Sequence, residues 1–300
     1  MKSSNLLKPY IAIAIGALSV STSAILVKWA QAPSAIIAFY RLFFTVLLMT
    51  PFVLPYAHEC RKISKRDWLF SVAAGVLLAF HFILWFESLN YTSVTSSVVL
   101  VTLQPLFAFV GGYIFFKEKL TISAFFSGLL AIFGSVIISW GDFQVSGAAL
   151  FGDVLALLAC AMVTGYWLVG QELRKRLSLM TYTYIVYSVS SLTLLVYSLI
   201  LRYPLVAYKK TDWFCFLLLA LVPTLLGHSL MNWSMKWLSA TTISMSILFE
   251  PVGAAVLAYF LLDEMIQPLQ WIGGTLILTG IGTYLWGENR KRSLSVQESG

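Results

Sequence analysis

The chain has 300 residues, of which 59% are apolar and only 11% charged, and it carries a net charge of +7. A soluble domain holds about 25% charged and under half apolar residues. This composition, with a mean hydropathy of +0.84 over the whole length, therefore excludes a soluble enzyme, a disordered chain and a disulfide scaffold, and leaves an integral membrane protein.

A hydrocarbon core of about 30 Å is crossed by about 20 apolar residues in helix. Ten such runs follow one another: Pro9 to Ala30, Pro33 to Pro55, Trp68 to Asn90, Thr95 to Phe116, Ile122 to Trp140, Leu150 to Gly170, Leu179 to Leu201, Trp213 to Lys236, Ala240 to Leu262 and Pro268 to Trp286. None shows the apolar/polar alternation of outer-membrane strands, so the predicted class is all-α with ten transmembrane helices. The first run is too long for a cleaved signal and is read as a permanent span. The connections leave no room for a separate soluble domain. With the N-terminus in the cytoplasm, fifteen of the twenty basic residues fall on the cytoplasmic side. These are Lys2, Lys8, the Arg61 to Arg66 group, Lys117, Lys119, the Arg174 to Arg176 group, Lys236 and the Arg290 to Arg292 group. The positive-inside rule then predicts both termini cytoplasmic. The positive charge is a topology signal, and no nucleic-acid partner is implied.

The second half repeats the first at an offset of about 146 residues. Asp67-Trp68 matches Asp212-Trp213, Gln104-Pro105 matches Glu250-Pro251, and Glu118 matches Glu264. Gly128, Gly134 and Trp140-Gly141 match Gly274, Gly280 and Trp286-Gly287. Five spans per copy is an odd number, so the copies are expected to be inverted, one at 9–140 and the other at 150–286, with a cytoplasmic tail at 287–300. Inverted repeats are the architecture of secondary transporters, whose central site opens alternately to each side.

Several stretches resemble the EamA-type members of the drug/metabolite transporter superfamily: Arg41 in the second span, GDVLALLAC from Gly152, SATTISMSILFEPVGAAVLAYFLLDE from Ser239 to Glu264, and WIGGTLILTGIG from Trp271. The first copy departs from the Glu-Pro element by carrying Gln104. The resemblance implies ten helices in two inverted bundles of five around a cavity. It also implies small-metabolite substrates, often amino acids or their analogues, frequently moved outwards.

Charged and polar residues within spans need a partner or a task. Glu250 precedes Pro251 near mid-membrane, and that proline, like Pro105, is expected to break its helix. Glu250 reads either as a coupling carboxylate or ligand for a cationic group, or as a fixed partner of Arg41. Arg41 in turn pairs with Glu250 or binds a substrate carboxylate. Lys28, Glu87 and Asp153 lie near the outer face as interfacial residues or gate ion pairs. His81 and His228 hold near-equivalent places in the third and eighth spans, either as interhelical hydrogen-bond partners or as a cavity wall. Trp85 shares a face with His81, and Trp233 shares one with Ser229. Gln104, Tyr166, Trp167 and Asn232 complete the candidate cavity set. The remaining tryptophans at span ends, such as Trp29, Trp68 and Trp213, read as interfacial belts. The glycines of the fifth and tenth spans read as packing surfaces, within a monomer or in a homodimer.

No Walker motif, cofactor fingerprint or metal-ligand spacing occurs, so neither an ATPase partner nor a cofactor is expected. These features predict a secondary transporter of small metabolites, an exporter, in a prokaryotic cytoplasmic membrane. The alternatives are a multidrug exporter of hydrophobic cations and, against the lack of any catalytic arrangement, an integral-membrane lipid-modifying enzyme.

Overall fold

The computed structural model describes residues 7–92, 94–119, 121–139, 147–262 and 268–298. Lys2, Trp140-Gly141 and Glu264 of the sequence reading lie outside them. Every regular element among the described residues is helical. The chain runs through α1 (Leu7–Val20), α2 (Ser23–Trp29), α3 (Ser34–Val53), α4 (Ala57–Cys60), α5 (Lys65–Ser88), α6 (Val94–Val101), α7 (Gln104–Phe116) and α8 (Ile122–Ser139). It continues through α9 (Gly147–Leu173), α10 (Leu179–Ile200), α11 (Lys210–Leu219), α12 (Ser229–Ser234), α13 (Ala240–Ile247), α14 (Glu250–Leu262) and α15 (Pro268–Glu298). Eight segments are long and apolar enough to cross a membrane, and Ile122–Ile137 is a shorter apolar helix. The protein is thus a multi-pass membrane protein. α15 does not stop at Trp286: the charged segment beyond it, rich in good helix formers, continues the helix to Glu298.

Four spans are interrupted, and each interruption has a local cause. α6 gives way to α7, and α13 to α14, just before Gln104-Pro105 and Glu250-Pro251. Each proline becomes the second residue of the new helix, where an N–H would have no acceptor within that helix. The first span, read as one helix from sequence, breaks at Ser21-Thr22 between α1 and α2, where both hydroxyls bond backward to Ala17 O and Ser19 O. Between α11 and α12 the chain forms a π-helix, Ala220–His228, containing Pro223. There the Thr224 and Ser229 hydroxyls donate to carbonyls five residues earlier, Leu219 O at 2.7 Å and Thr224 O at 3.3 Å.

α5 packs on α9 and α10, α3 on α10, and α1 against the π-helix and α12. Their buried side chains form one large core. α8 and α15 pair along their length outside it and enclose a smaller core of Ala131, Met245, Leu248, Ile277 and Tyr284. Two of the glycines assigned to packing make this pairing close. A Cβ on Gly134 would stand 2.6 Å from Gly273 O, and one on Gly280 would stand 2.7 Å from Ser127 O. Gly282, on the same helix, faces open space.

Because backbone cannot yield as a side chain does, Gly280→Ala is expected to cost about 1–3 kcal/mol of stability, and Gly282→Ala none that is measurable. Thermal midpoints of the two variants in detergent distinguish these outcomes.

Candidate functional site

The helix interruptions converge on one buried, polar cavity. It is lined by Val20 and Ser23 at the break in the first span, Arg41 on α3, His81 and Trp85 on α5, Val101 and Gln104 at the α6–α7 break, and Val163 and Trp167 on α9. His228 and Met231 from the π-helix and α12, and Ile247 and Glu250 at the α13–α14 break, close it. The repeat is visible in this wall. Val101 faces the same space as Ile247, and Gln104 the same as Glu250, each pair 146 residues apart; His81 and His228, 147 apart, do likewise. The enclosed volume is about 20 Å³, room for one water molecule.

Arg41 is completely buried. Its Nε donates to Thr224 Oγ1 at 2.7 Å and its Nη1 to Ser23 Oγ at 2.9 Å. Its guanidinium carbon lies 4.2 Å from the Phe82 ring centroid, a distance at which a cation is attracted to the ring face. The expected direct ion pair with Glu250 is not formed, since the ion pairs among the described residues involve only Lys175, Arg176, Glu172 and Asp67. Neutral hydroxyls and an aromatic face take up part of the guanidinium instead. Four buried polar atoms of the wall have no partner: Arg41 Nη2, Trp85 Nε1, His228 Nδ1 and Glu250 Oε1.

The histidines are held as two aromatic stacks. His81 stacks on Trp85 at 5.7 Å, and His228 on Trp167 at 5.4 Å. His81 Nδ1 lies 3.0 Å from Ala159 O, and since a carbonyl only accepts, Nδ1 carries the proton and Nε2 is left for a second partner. Gln104 and Glu250 are chemically unlike in a way that matters. Gln104 accepts from Trp167 Nε1 at 3.1 Å and turns its amide toward Val101 O at 3.4 Å, the carbonyl that Pro105 deprives of its helical donor. An ionised Glu250 has no donor to offer Ile247 O in the same way.

The remaining candidates lie elsewhere. Tyr166 and Asn232 do not line the cavity. They sit behind Trp167 and His228, where Asn232 Nδ2 donates to Tyr166 OH and to His228 O. Trp233 faces a separate apolar groove of about 710 Å³ between α1, α3, α10 and the π-helix. Lys28, Glu87 and Asp153 form no gate ion pair with one another. Lys28 Nζ donates to Leu89 O at 2.7 Å, Glu87 accepts from Asn90, and Asp153 accepts from Ser96. Lys28 instead acts as a cation on the C-terminal carbonyls of α5. Arg174, 146 residues later, does the same in the last turn of the second copy's third span, donating to Asn232 O at 3.0 Å. Burial pushes the Arg174 pKa below the ordinary arginine value, while Tyr182 and Glu59 oppose the shift. Sequence reasoning missed this equivalence and the cavity residues Val20 and Ser23, although the common offset would have revealed the first.

Polar bonds tie the bundle together on both sides of the cavity. At the end bearing the basic loops, Glu118 accepts from Gln171 Nε2 at 2.8 Å and from Thr241 Oγ1 at 3.1 Å, and Glu59 accepts from Ser178 N and Thr181 Oγ1, both at 2.7 Å. At the opposite end, Tyr40 OH donates to Leu205 O at 2.5 Å and Asn90 Nδ2 to Ser34 Oγ at 3.2 Å.

Residues 7–140 and 150–286 each match the EamA-like transporter family. The chain belongs to this family. Its two-repeat helical fold and transport function follow from that membership. An uncharacterized transporter of Bacillus subtilis, YxxF, is 25% identical over 80% of this chain and 77% of its own length. An uncharacterized transporter of Archaeoglobus fulgidus is 23% identical over 90% of this chain and 93% of its own. The uncharacterized inner membrane transporter YhbE of Escherichia coli is 25% identical over 79% of each. A solved crystal structure superposes with a TM-score of 0.73 over 95% of this chain and 98% of its own at 16% identity, which establishes a shared fold.

Thr224 joins the π-helix to Arg41 through a charge-assisted hydrogen bond. Thr224→Val keeps the shape and removes the hydroxyl, so it is expected to lower stability by about 1.5–3 kcal/mol, measured as unfolding in detergent against a Thr50→Val control at a half-buried hydroxyl of α3.

Proposed function

We propose that this protein is a secondary transporter that exports small zwitterionic metabolites, such as amino acids or their analogues, by alternating access through the Arg41–Glu250 cavity. In this reading α8 and α15 complete ten crossings, the repeats are inverted, and both termini are cytoplasmic in a prokaryotic cell membrane. The pattern of contacts agrees with ten alternating crossings. Bonds join ends that such a path brings together, as between Pro9 and Ser234, Glu118 and Gln171, Gln31 and Asp212, and Lys28 and Leu89.

The observation that carries the substrate class is the set of unpartnered polar atoms. One cation with a free N–H, Arg41 Nη2, and one carboxylate oxygen, Glu250 Oε1, face a common space with a free indole N–H. A substrate carboxylate complements the guanidinium and an ammonium complements the carboxylate, and together they satisfy groups otherwise costly to bury. The two His–Trp stacks supply flat walls for a substrate side chain. A fixed guanidinium disfavours a purely cationic drug, which would meet like charge at the same depth. Because the cavity admits one water, an amino acid enters only when helices part, as a transport cycle requires.

Thermal unfolding of the purified protein with a panel of metabolites tests this reading. A zwitterionic amino acid is expected to raise the midpoint with the logarithm of its concentration. Arg41→Gln and Glu250→Gln are each expected to weaken that binding by about 10- to 100-fold, the loss of one charge-assisted bond. Stabilisation by hydrophobic cations alone, or by no compound, would overturn the proposal. Efflux from loaded vesicles then reads the direction.

A further inference from the structure

On the outer surface of the bundle, away from the polar cavity, α5, α7 and α9 enclose a groove of about 580 Å³. Its walls are Phe70 and Leu77 of α5, Phe115 and Phe116 of α7, and Gly165 and Leu168 of α9. From Arg66 to Leu77, α5 rises about 16 Å, close to the half-thickness, about 15 Å, of a bilayer's hydrocarbon core. The groove is therefore as long as one leaflet is deep. Its charged lining residues, Arg66, Glu172 and Arg176, all sit at the basic-loop end, and the rest of the lining is apolar.

The charges at that end do not cancel. Glu172 is bridged by Lys175 at 3.0 Å and by Arg176 at 3.3 Å, and Arg176 also reaches Asp67 at 3.0 Å. Two carboxylates thus take up two cations. Arg66 remains: its guanidinium carbon lies 5.5 Å from the Phe70 ring centroid, at the head of the apolar wall, and it makes no ion pair among the described residues.

We propose that this groove binds an anionic diacyl phospholipid of the leaflet at the basic-loop end, with one acyl chain along the Phe70, Phe115 and Leu168 wall and the headgroup phosphate on Arg66. Charge complementarity selects the occupant. Basic pockets between transmembrane helices on the cytoplasmic side take acidic headgroups, and the basic-loop end is the cytoplasmic one in the reading above. α5 and α7 belong to the first repeat and α9 to the second, and all three also wall the polar cavity, through His81, Gln104 and Trp167. The lipid therefore bridges the two repeats beside the cavity. A Cβ on Gly165 would meet only the Leu77 side chain, at 3.2 Å, so a larger residue there takes the space of the chain.

Thermal unfolding of the purified full-length protein in detergent tests this, with phosphatidylglycerol, phosphatidylcholine of the same chains, or inorganic phosphate added. Phosphatidylglycerol is expected to raise the midpoint with the logarithm of its concentration. It should do so at about a fivefold lower concentration than phosphatidylcholine, the worth of one basic residue near a membrane surface, while inorganic phosphate alone has no effect. Arg66→Gln is expected to remove the preference, Arg66→Lys to retain it, and Gly165→Leu to weaken both lipids alike. Each variant is read against its own lipid-free midpoint, which separates lost binding from lost stability. The proposal is overturned by an equal response to the two lipids, by stabilisation with phosphate alone, or by an unchanged preference in Arg66→Gln. Loss of the preference in Lys8→Gln would also overturn it, since Lys8 is the one charged residue lining the larger groove between α1, α3, α10 and the π-helix. None of these measurements needs a transported substrate or an assigned orientation, so a protein that moves no metabolite would refute the transport reading and leave the lipid result standing.

Discussion

Burying a guanidinium among apolar helices costs several kcal/mol unless its donors and charge are met, and Arg41 meets them only in part. Two hydroxyls, from Ser23 and Thr224, and the face of Phe82 take up some of its capacity, while Nη2 is left over. Each of the two hydroxyls depends on a departure from regular structure. Ser23 is offered by the break between α1 and α2. Thr224 is offered by the π-helix, whose wider turn lets its hydroxyl donate to Leu219 O while accepting from Arg41. Irregular backbone at membrane depth is tolerated where it lines a cavity inside the protein, and all four interruptions contribute residues to the same small space.

Because Glu250 makes no ion pair with Arg41, neither group is satisfied by the other. A directly bonded pair would be a structural staple. The arrangement leaves a donor and an acceptor unpartnered in the wall of one cavity, each at a cost that a substrate bearing both complementary groups would relieve. Stability withheld in this way is available as binding energy. The small cavity and the bonded ends fit a bundle that must open to admit a substrate rather than one holding a permanent pore.

Eight of the apolar spans, the duplicated halves and several residues of the cavity wall were legible in the sequence because each leaves a periodic trace. Long apolar runs mark helices, and a constant offset ties His81 to His228 and Gln104 to Glu250. The π-helix left no such trace: Pro223 lies in an apolar run like any other, and only tertiary contact with α1 and α3 reveals the wider turn. The expected Arg41–Glu250 contact failed for a related reason. Depth along a helix is readable from spacing, but whether hydroxyls from two interrupted helices intervene is not. Tyr166 and Asn232 share the depth of the cavity but face the layer behind it, since a single sequence gives the face of a helix only where its apolar pattern is asymmetric, and α9 and the eighth span are apolar on nearly every side. Asp67-Trp68 and Asp212-Trp213 were visible as markers of duplication, while their bonds across the repeats needed the fold to place their partners.

The central claim is that one closed cavity serves both sides of the membrane. Val101→Cys places a thiol on its wall, in a chain otherwise free of cysteine and reconstituted into sealed vesicles. A membrane-impermeant maleimide added from either side in separate experiments is predicted to label it slowly from both, and more slowly from both when a bound amino acid occupies the site. Labelling from one side only, or from neither, would contradict the account.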